Sequence, residues 1–92
     1  MTGEIVRVRA VVAGRVQGVY FRQSTEVEAR AAGVAGWVHN LADGRVEAVF
    51  EGSRAAVETA LGYVAHGPEH ARVDSVETAW ETPEGVDGFA IR

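Results

Sequence analysis

The sequence predicts an α+β two-layer sandwich, a mainly antiparallel sheet with two helices on one of its faces. Three observations predict it. β-branched stretches with a period of two recur along the chain, as in Val6-Arg7-Val8-Arg9-Ala10-Val11-Val12 and Val46-Glu47-Ala48-Val49-Phe50-Glu51. Two other segments carry their apolar and small residues at helical spacing: Phe21, Thr25, Ala29 and Ala32, then Val57, Leu61 and Val64. The two patterns follow one another in the order β-α-β-β-α-β, and an Asp43-Gly44 turn joins the middle strands.

The first strand spans about Glu4 to Val12. Val6, Val8, Ala10 and Val12 share one face, and Arg7 and Arg9 the other. The first helix spans about Arg22 to Ala32, and Gly33 is placed to cap its C-terminus. Its small residues allow close approach to the sheet. The second strand runs from about Ala35 to Leu41, and Ala42-Asp43-Gly44 turns the chain into the third, about Arg45 to Glu51. Ser53 is the N-cap of the second helix, which His66-Gly67-Pro68 terminates because proline cannot continue it. The fourth strand, about Arg72 to Glu81, has a mixed pattern on both faces. Thr82 to Gly88 is a loop, and Phe89 to Arg92 an optional short fifth strand. The topology is ferredoxin-like, for which the usual strand order is 4-1-3-2; the place of the last strand is not legible.

Ninety-two residues are expected to form one domain, 1–92, burying roughly 60–65% of the unfolded surface. No apolar stretch approaches the roughly 20 residues of a membrane span. The polar start, Met1-Thr2-Gly3-Glu4, shows no signal-peptide pattern, so a cytoplasmic location without membrane association is expected. The absence of cysteine excludes disulfides, thiolate catalysis and cysteine metal sites. A net charge of −4 argues against nucleic-acid binding. All nine basic residues are arginine, which removes Schiff-base and P-loop lysine chemistry. The histidines, His39, His66 and His70, lack ligand spacing, so neither a metal nor another cofactor is expected. The small acidic chain is expected to be monomeric.

The most informative segment is Gly14-Arg15-Val16-Gln17-Gly18-Val19-Tyr20-Phe21-Arg22. It is a turn between a strand and a helix, framed by two glycines. Such a turn can aim backbone N–H groups into one concave space, and the helix N-terminus adds partial positive charge. With Arg15 and Arg22 flanking it, the turn suits an anion with several oxygens, most simply a phosphate. An arginine at a helix N-terminus opposes the helix dipole, which argues that something there requires Arg22.

Asn40 reaches the same place. From Arg22 to Gly33 the helix descends about 11 steps of 1.5 Å, roughly 17 Å. From Ala35 to Asn40 the strand climbs about 5 steps of 3.3 Å, again roughly 17 Å. A β-α-β crossover makes the first two strands parallel, so both deliver residues to one rim. By strand alternation His39 points away from Asn40 and is a surface residue. Trp37 and Phe50 are sheet-packing residues.

The Gly14-to-Arg22 segment resembles the signature loop of the acylphosphatases. Gly36-Trp37-Val38-His39-Asn40-Leu41-Ala42-Asp43-Gly44 resembles that family's second signature. The resemblance extends through Val46 to Gly52, Gly67-Pro68 before Ala71-Arg72-Val73, and Gly88 to Arg92, covering about Val6 to Arg92. His39 departs from the arginine or lysine more often found before this asparagine.

The resemblance implies a small-molecule acyl phosphate substrate, hydrolysed to a carboxylate and inorganic phosphate without a metal or a covalent intermediate. It implies that Arg22 and Asn40 are catalytic. Arg22 can hold phosphate oxygens through its planar charged donors, and Asn40 can orient water without competing as a nucleophile. Backbone N–H groups of Arg15, Val16, Gln17, Gly18, Val19 and Tyr20 would hold the remaining oxygens, with Gln17 bracing the loop through its amide. The Arg15 side chain is left open between solvation and anion steering. The physiological acyl phosphate is not legible.

Two other functions compete. One is a non-catalytic anion-binding accessory domain, as acylphosphatase-like domains occur inside larger carbamoyl-transferring maturation proteins. The other is an RNA-recognition-like module, which shares the topology. The acidic third strand, with Phe50 its one aromatic, opposes the RNA alternative.

Overall fold

A computed structural model describes residues 3–92, so the polar start at Met1 and Thr2 lies outside the described residues. The elements are β1 (Ile5–Arg15), α1 (Phe21–Ala32), β2 (Ala35–Asn40), β3 (Val46–Ser53), α2 (Arg54–Val64), β4 (Arg72–Glu81) and β5 (Phe89–Ile91). They form a five-stranded sheet in the order β4-β1-β3-β2-β5. The 4-1-3-2 core is the expected one, and β5 joins it parallel to β2, with Trp37 opposite Ala90. β1 and β2 are each antiparallel to β3, so they run parallel to one another and end at the same rim.

The period-two pattern of β1 turns Val8, Ala10 and Val12 into the core, where all three are fully buried. Val38 of β2 and Val46, Ala48 and Phe50 of β3 join them from the same face. Burying a valine stabilises by roughly 1.5–3 kcal/mol over leaving it exposed, so this face supplies most of the drive for the sheet. Phe21, Thr25 and Ala29 of α1 cover it, as do Val57, Ala60 and Val64 of α2. Ala29 and Ala60 keep the helices close to the strands. Gly33 caps α1 in the left-handed region, and the Ser53 hydroxyl accepts from the Ala56 N–H at 3.2 Å.

The structure differs from the expected pattern at three points. β1 runs three residues beyond Val12, because a register shift at Ala13/Gly14 lets it keep pairing with β4 as far as Arg15 and Arg72. Gly14 is required at this bulge, since a Cβ there would overlap the Arg72 carbonyl oxygen. Leu61 is only partly buried, and Ala60 takes its place in the stripe of α2. Strand β3 continues through Gly52 and Ser53, directly into α2.

The outer face of the sheet is charged. Arg7, 4% exposed, contacts Glu51 at 3.0 Å and Glu81 at 3.1 Å, and Arg9 contacts Glu81 at 2.7 Å and Glu47 at 2.8 Å. Burial pushes the Glu51 carboxyl up, but the Glu84 N–H, the Arg7 guanidinium and the Gly85 N–H together hold it below the ordinary carboxylate range. Hydrogen bonds from Arg9 and Arg7 depress Glu81 in the same direction. The loop of residues 82–88 is thereby tied down, with Glu84 and Gly85 donating to Glu51 at 2.9 and 2.7 Å.

Candidate active site

The turn after β1 occupies residues 16–20. Val16 and Val19 are buried within it, and Gly18 and Tyr20 are exposed. Gly18 has φ 76°, a left-handed conformation that glycine adopts without strain. Tyr20 follows at φ 62° and is the N-cap of α1. Its carbonyl accepts from the Ser24 N–H at 3.0 Å. The N–H groups of Gln17, Gly18, Val19 and Tyr20 donate to no carbonyl or side chain among the described residues. The first-turn N–H groups of Phe21, Arg22 and Gln23 precede the first i to i−4 bond of the helix. Together these donors make an electropositive concavity.

A pocket of about 230 Å³ opens on this turn, lined by Val16, Gln17, Gly18, Tyr20, Phe21, Arg22, Gln23 and Asn40. Arg22 and Asn40 are thus brought together, as the matched lengths of helix and strand predict. Arg15 and Val19, grouped with the turn by sequence, do not line the pocket. Arg15 is the exposed last residue of β1, paired with Arg72, and the Val19 side chain belongs to the core.

Two properties of the pocket bear on its chemistry. Among the described residues, Arg15 and Arg22 are the arginines with neither a carboxylate within 4.0 Å nor an aromatic ring beneath them. Arg7, Arg9, Arg30, Arg45 and Arg72 are ion-paired. Arg54 and Arg92 lie over Trp80 and Trp37. Asn40 Oδ1, in turn, is buried with no hydrogen-bond partner. Such an atom costs about 1–3 kcal/mol unless a ligand or water reaches it.

Gln17 ties the turn to the β2–β3 hairpin. Its Nε2 donates to the Leu41 carbonyl at 2.9 Å and to the Arg45 carbonyl at 3.0 Å. The expected bracing role of its amide therefore has a specific target, the turn that begins one residue after Asn40. His39 points to the opposite face, as alternation requires. It is half-buried there, with Nε2 2.7 Å from Glu47 and its ring edge-on to Trp37. Thr25 Oγ1 is a second buried oxygen without a partner. Its spacing with Phe21 and Ala29 reads as ordinary helix core, so the sequence gives no signal for it.

A broader concavity of about 930 Å³ lies at the other end of β2, along Arg30, Trp37, Glu51, Asp87, Phe89 and Arg92. It contains two carboxylates, whereas the smaller pocket contains none. An anion of high charge density is therefore better suited by the smaller one.

A family model described as Acylphosphatase matches residues 8–91. The chain belongs to the acylphosphatase family. An acylphosphatase of Natronomonas pharaonis is 56% identical over 87 residues, covering 95% of each chain. One from Anaeromyxobacter dehalogenans is 57% identical over 88 residues, again 95% of each. The crystal structure of acylphosphatase from Bacillus subtilis superimposes with a TM-score of 0.91 at 36% identity, covering 95% of this chain and 98% of that one. Both segments that resemble acylphosphatases in sequence, Gly14 to Arg22 and Gly36 to Gly44, contribute residues to the small pocket.

Proposed function

We propose that this chain is a hydrolase that cleaves acyl phosphates to a carboxylate and inorganic phosphate, with water as the nucleophile. The observation that carries the proposal is one carboxylate-free pocket that brings together unpaired loop N–H groups, an arginine without a counter-ion and the Asn40 side chain.

An acyl phosphate has a good leaving group, so the difficulty lies in bringing water to a phosphorus shielded by negative oxygens. Arg22 and the amides of the turn hold those oxygens and offset their charge. Asn40 Oδ1 accepts a hydrogen bond from the attacking water and fixes its approach. The new O–P bond forms as the bond from phosphorus to the acyl oxygen breaks. The carboxylate leaves with the electron pair, and the water's protons remain on the phosphate. The pocket offers a cation no anionic ligand, so the proposal includes neither metal nor cofactor. The enzyme acts as a cytoplasmic monomer on a small molecule, a reading supported by its size and acidic charge.

The RNA-recognition alternative is disfavoured by a specific feature. Phe50, the aromatic of β3, is fully buried beneath the helices, and the outer face presents Glu47 and Glu51. Phosphate release from benzoyl phosphate, with and without excess EDTA, tests the proposal. Turnover that persists in EDTA and is inhibited competitively by inorganic phosphate is expected. No release, or release only with added magnesium, overturns it.

A further inference from the structure

Tyr20 is placed where the fold gains little from its ring. It is 77% exposed, the most exposed of the large hydrophobics among the described residues, so burial does not account for it. It is the one non-glycine residue at positive φ among the described residues. Asparagine and aspartate tolerate that conformation better, and glycine best. What α1 uses at this position is the Tyr20 carbonyl, which holds both the N–H and the hydroxyl of Ser24. Any residue would supply that carbonyl, so the ring calls for a partner outside the chain.

The pocket indicates which partner. Its volume of about 230 Å³ lies below the roughly 300–1,000 Å³ typical of sites that enclose a drug-sized ligand. A phosphoryl group can enter, while the rest of a substrate projects through the mouth. Of the lining residues, Val16 and Phe21 are buried, Gly18 has no side chain, and Gln17, Arg22, Gln23 and Asn40 are polar. Tyr20 alone offers an exposed aromatic face at the mouth.

We propose that the Tyr20 ring is the platform for the acyl group, and that it favours substrates with an aromatic or bulky apolar acyl group over acetyl phosphate. The inference rests on the acyl phosphate reading of the pocket and adds the substrate class.

The test compares kcat/KM for benzoyl phosphate and acetyl phosphate in the wild type, Tyr20→Asn and Tyr20→Phe. Asparagine keeps the left-handed backbone and removes the ring, whereas phenylalanine keeps the ring. Both substrates carry the same phosphoryl group, so their ratio reports on the acyl group alone. Removal of the aromatic face in Tyr20→Asn should lower the benzoyl-to-acetyl ratio about three- to ten-fold. Tyr20→Phe should keep it within about two-fold. An unchanged ratio in Tyr20→Asn overturns the platform, and so does an equal drop in Tyr20→Phe. A wild-type protein that cleaves neither substrate overturns the acyl phosphate reading itself, an outcome distinct from normal turnover with an unchanged ratio.

Discussion

A buried amide oxygen without a partner and a cation at the positive end of a helix both oppose folding, and this small pocket contains one of each. Substituting either should therefore separate stability from activity. Arg22→Ala is expected to lower kcat/KM about 10²- to 10³-fold and to weaken inhibition by phosphate, since the same charge serves substrate and product. Asn40→Ala is expected to lower kcat while the inhibition constant of phosphate changes little, because its proposed contact is with the water. Neither variant should lose thermal stability, and a small gain is expected in both, because each removes an unfavourable interaction. Parallel measurement of kcat, phosphate inhibition and Tm checks all three. A collapse of phosphate affinity in Asn40→Ala with kcat intact would reverse its role. That Arg22 and Asn40 meet in one pocket was legible in the sequence, because helix rise and strand rise cancel between positions 22 and 40. The orphaned state of Asn40 Oδ1 and of Thr25 Oγ1 was not, because it depends on which atoms packing leaves within reach.

At the scale of elements, the turn after β1 and the hairpin after β2 are separate in sequence and are joined by the Gln17 side chain. One amide donates to two carbonyls, Leu41 and Arg45, and so sets the turn after β1 against the segment that carries Asn40. Gln17→Leu should lower kcat about ten-fold, as a misplacement of water costs rate with little change in how phosphate is held. Gln17→Glu should be worse at neutral pH, because a carboxylate only accepts and would face two carbonyl oxygens. It should recover in part as acid protonates it, and a pH profile of kcat for both variants checks the order. The sequence showed that Gln17 could brace the turn but not against what, since the partners are backbone atoms without a motif. The ends of β1 and the site of β5 were hidden for a related reason. β1 is prolonged by a bulge opposite Arg72, and three residues, Phe89 to Ile91, carry too little pattern to choose a neighbour. Strand β4 was found despite its mixed faces, and its exposed residues explain the mixture: it is an edge.

For the whole molecule, the outer sheet face links stability to acid. Glu51, Glu47 and Glu81 all have carboxyls held below the ordinary range: Glu51 and Glu47 by hydrogen bonds that outweigh their burial, Glu81 chiefly by Arg9 and Arg7. A depressed folded-state value means that the unfolded chain binds the proton first. Their contribution is therefore complete above the unfolded carboxylate value of about 4.3 and disappears as the pH falls through the lower folded values. Tm should be level above about pH 5.5 and fall below about pH 4. Glu51→Gln, which leaves Arg7 less compensated, should cost about 2–3 kcal/mol at pH 7, and the gap to wild type should narrow in acid. Thermal melts of both proteins from pH 3 to pH 8 measure this. The alternation of Arg7 and Arg9 placed them on one face in sequence, but their carboxylate partners come from β3 and β4, beyond the reach of a local pattern.

The strand order has a consequence in time. β1 is made before every other strand, yet its neighbours are β3 and β4, and the bond from Arg7 to Glu81 spans 74 positions. During synthesis the β2–β3 hairpin can close early, while β1 waits with one edge unfilled until residue 81 has left the ribosome. Its valine-rich inner face is the stretch that a nascent chain would most need to keep from its neighbours, and the charges of Arg7 and Arg9 along the same strand keep like copies apart meanwhile.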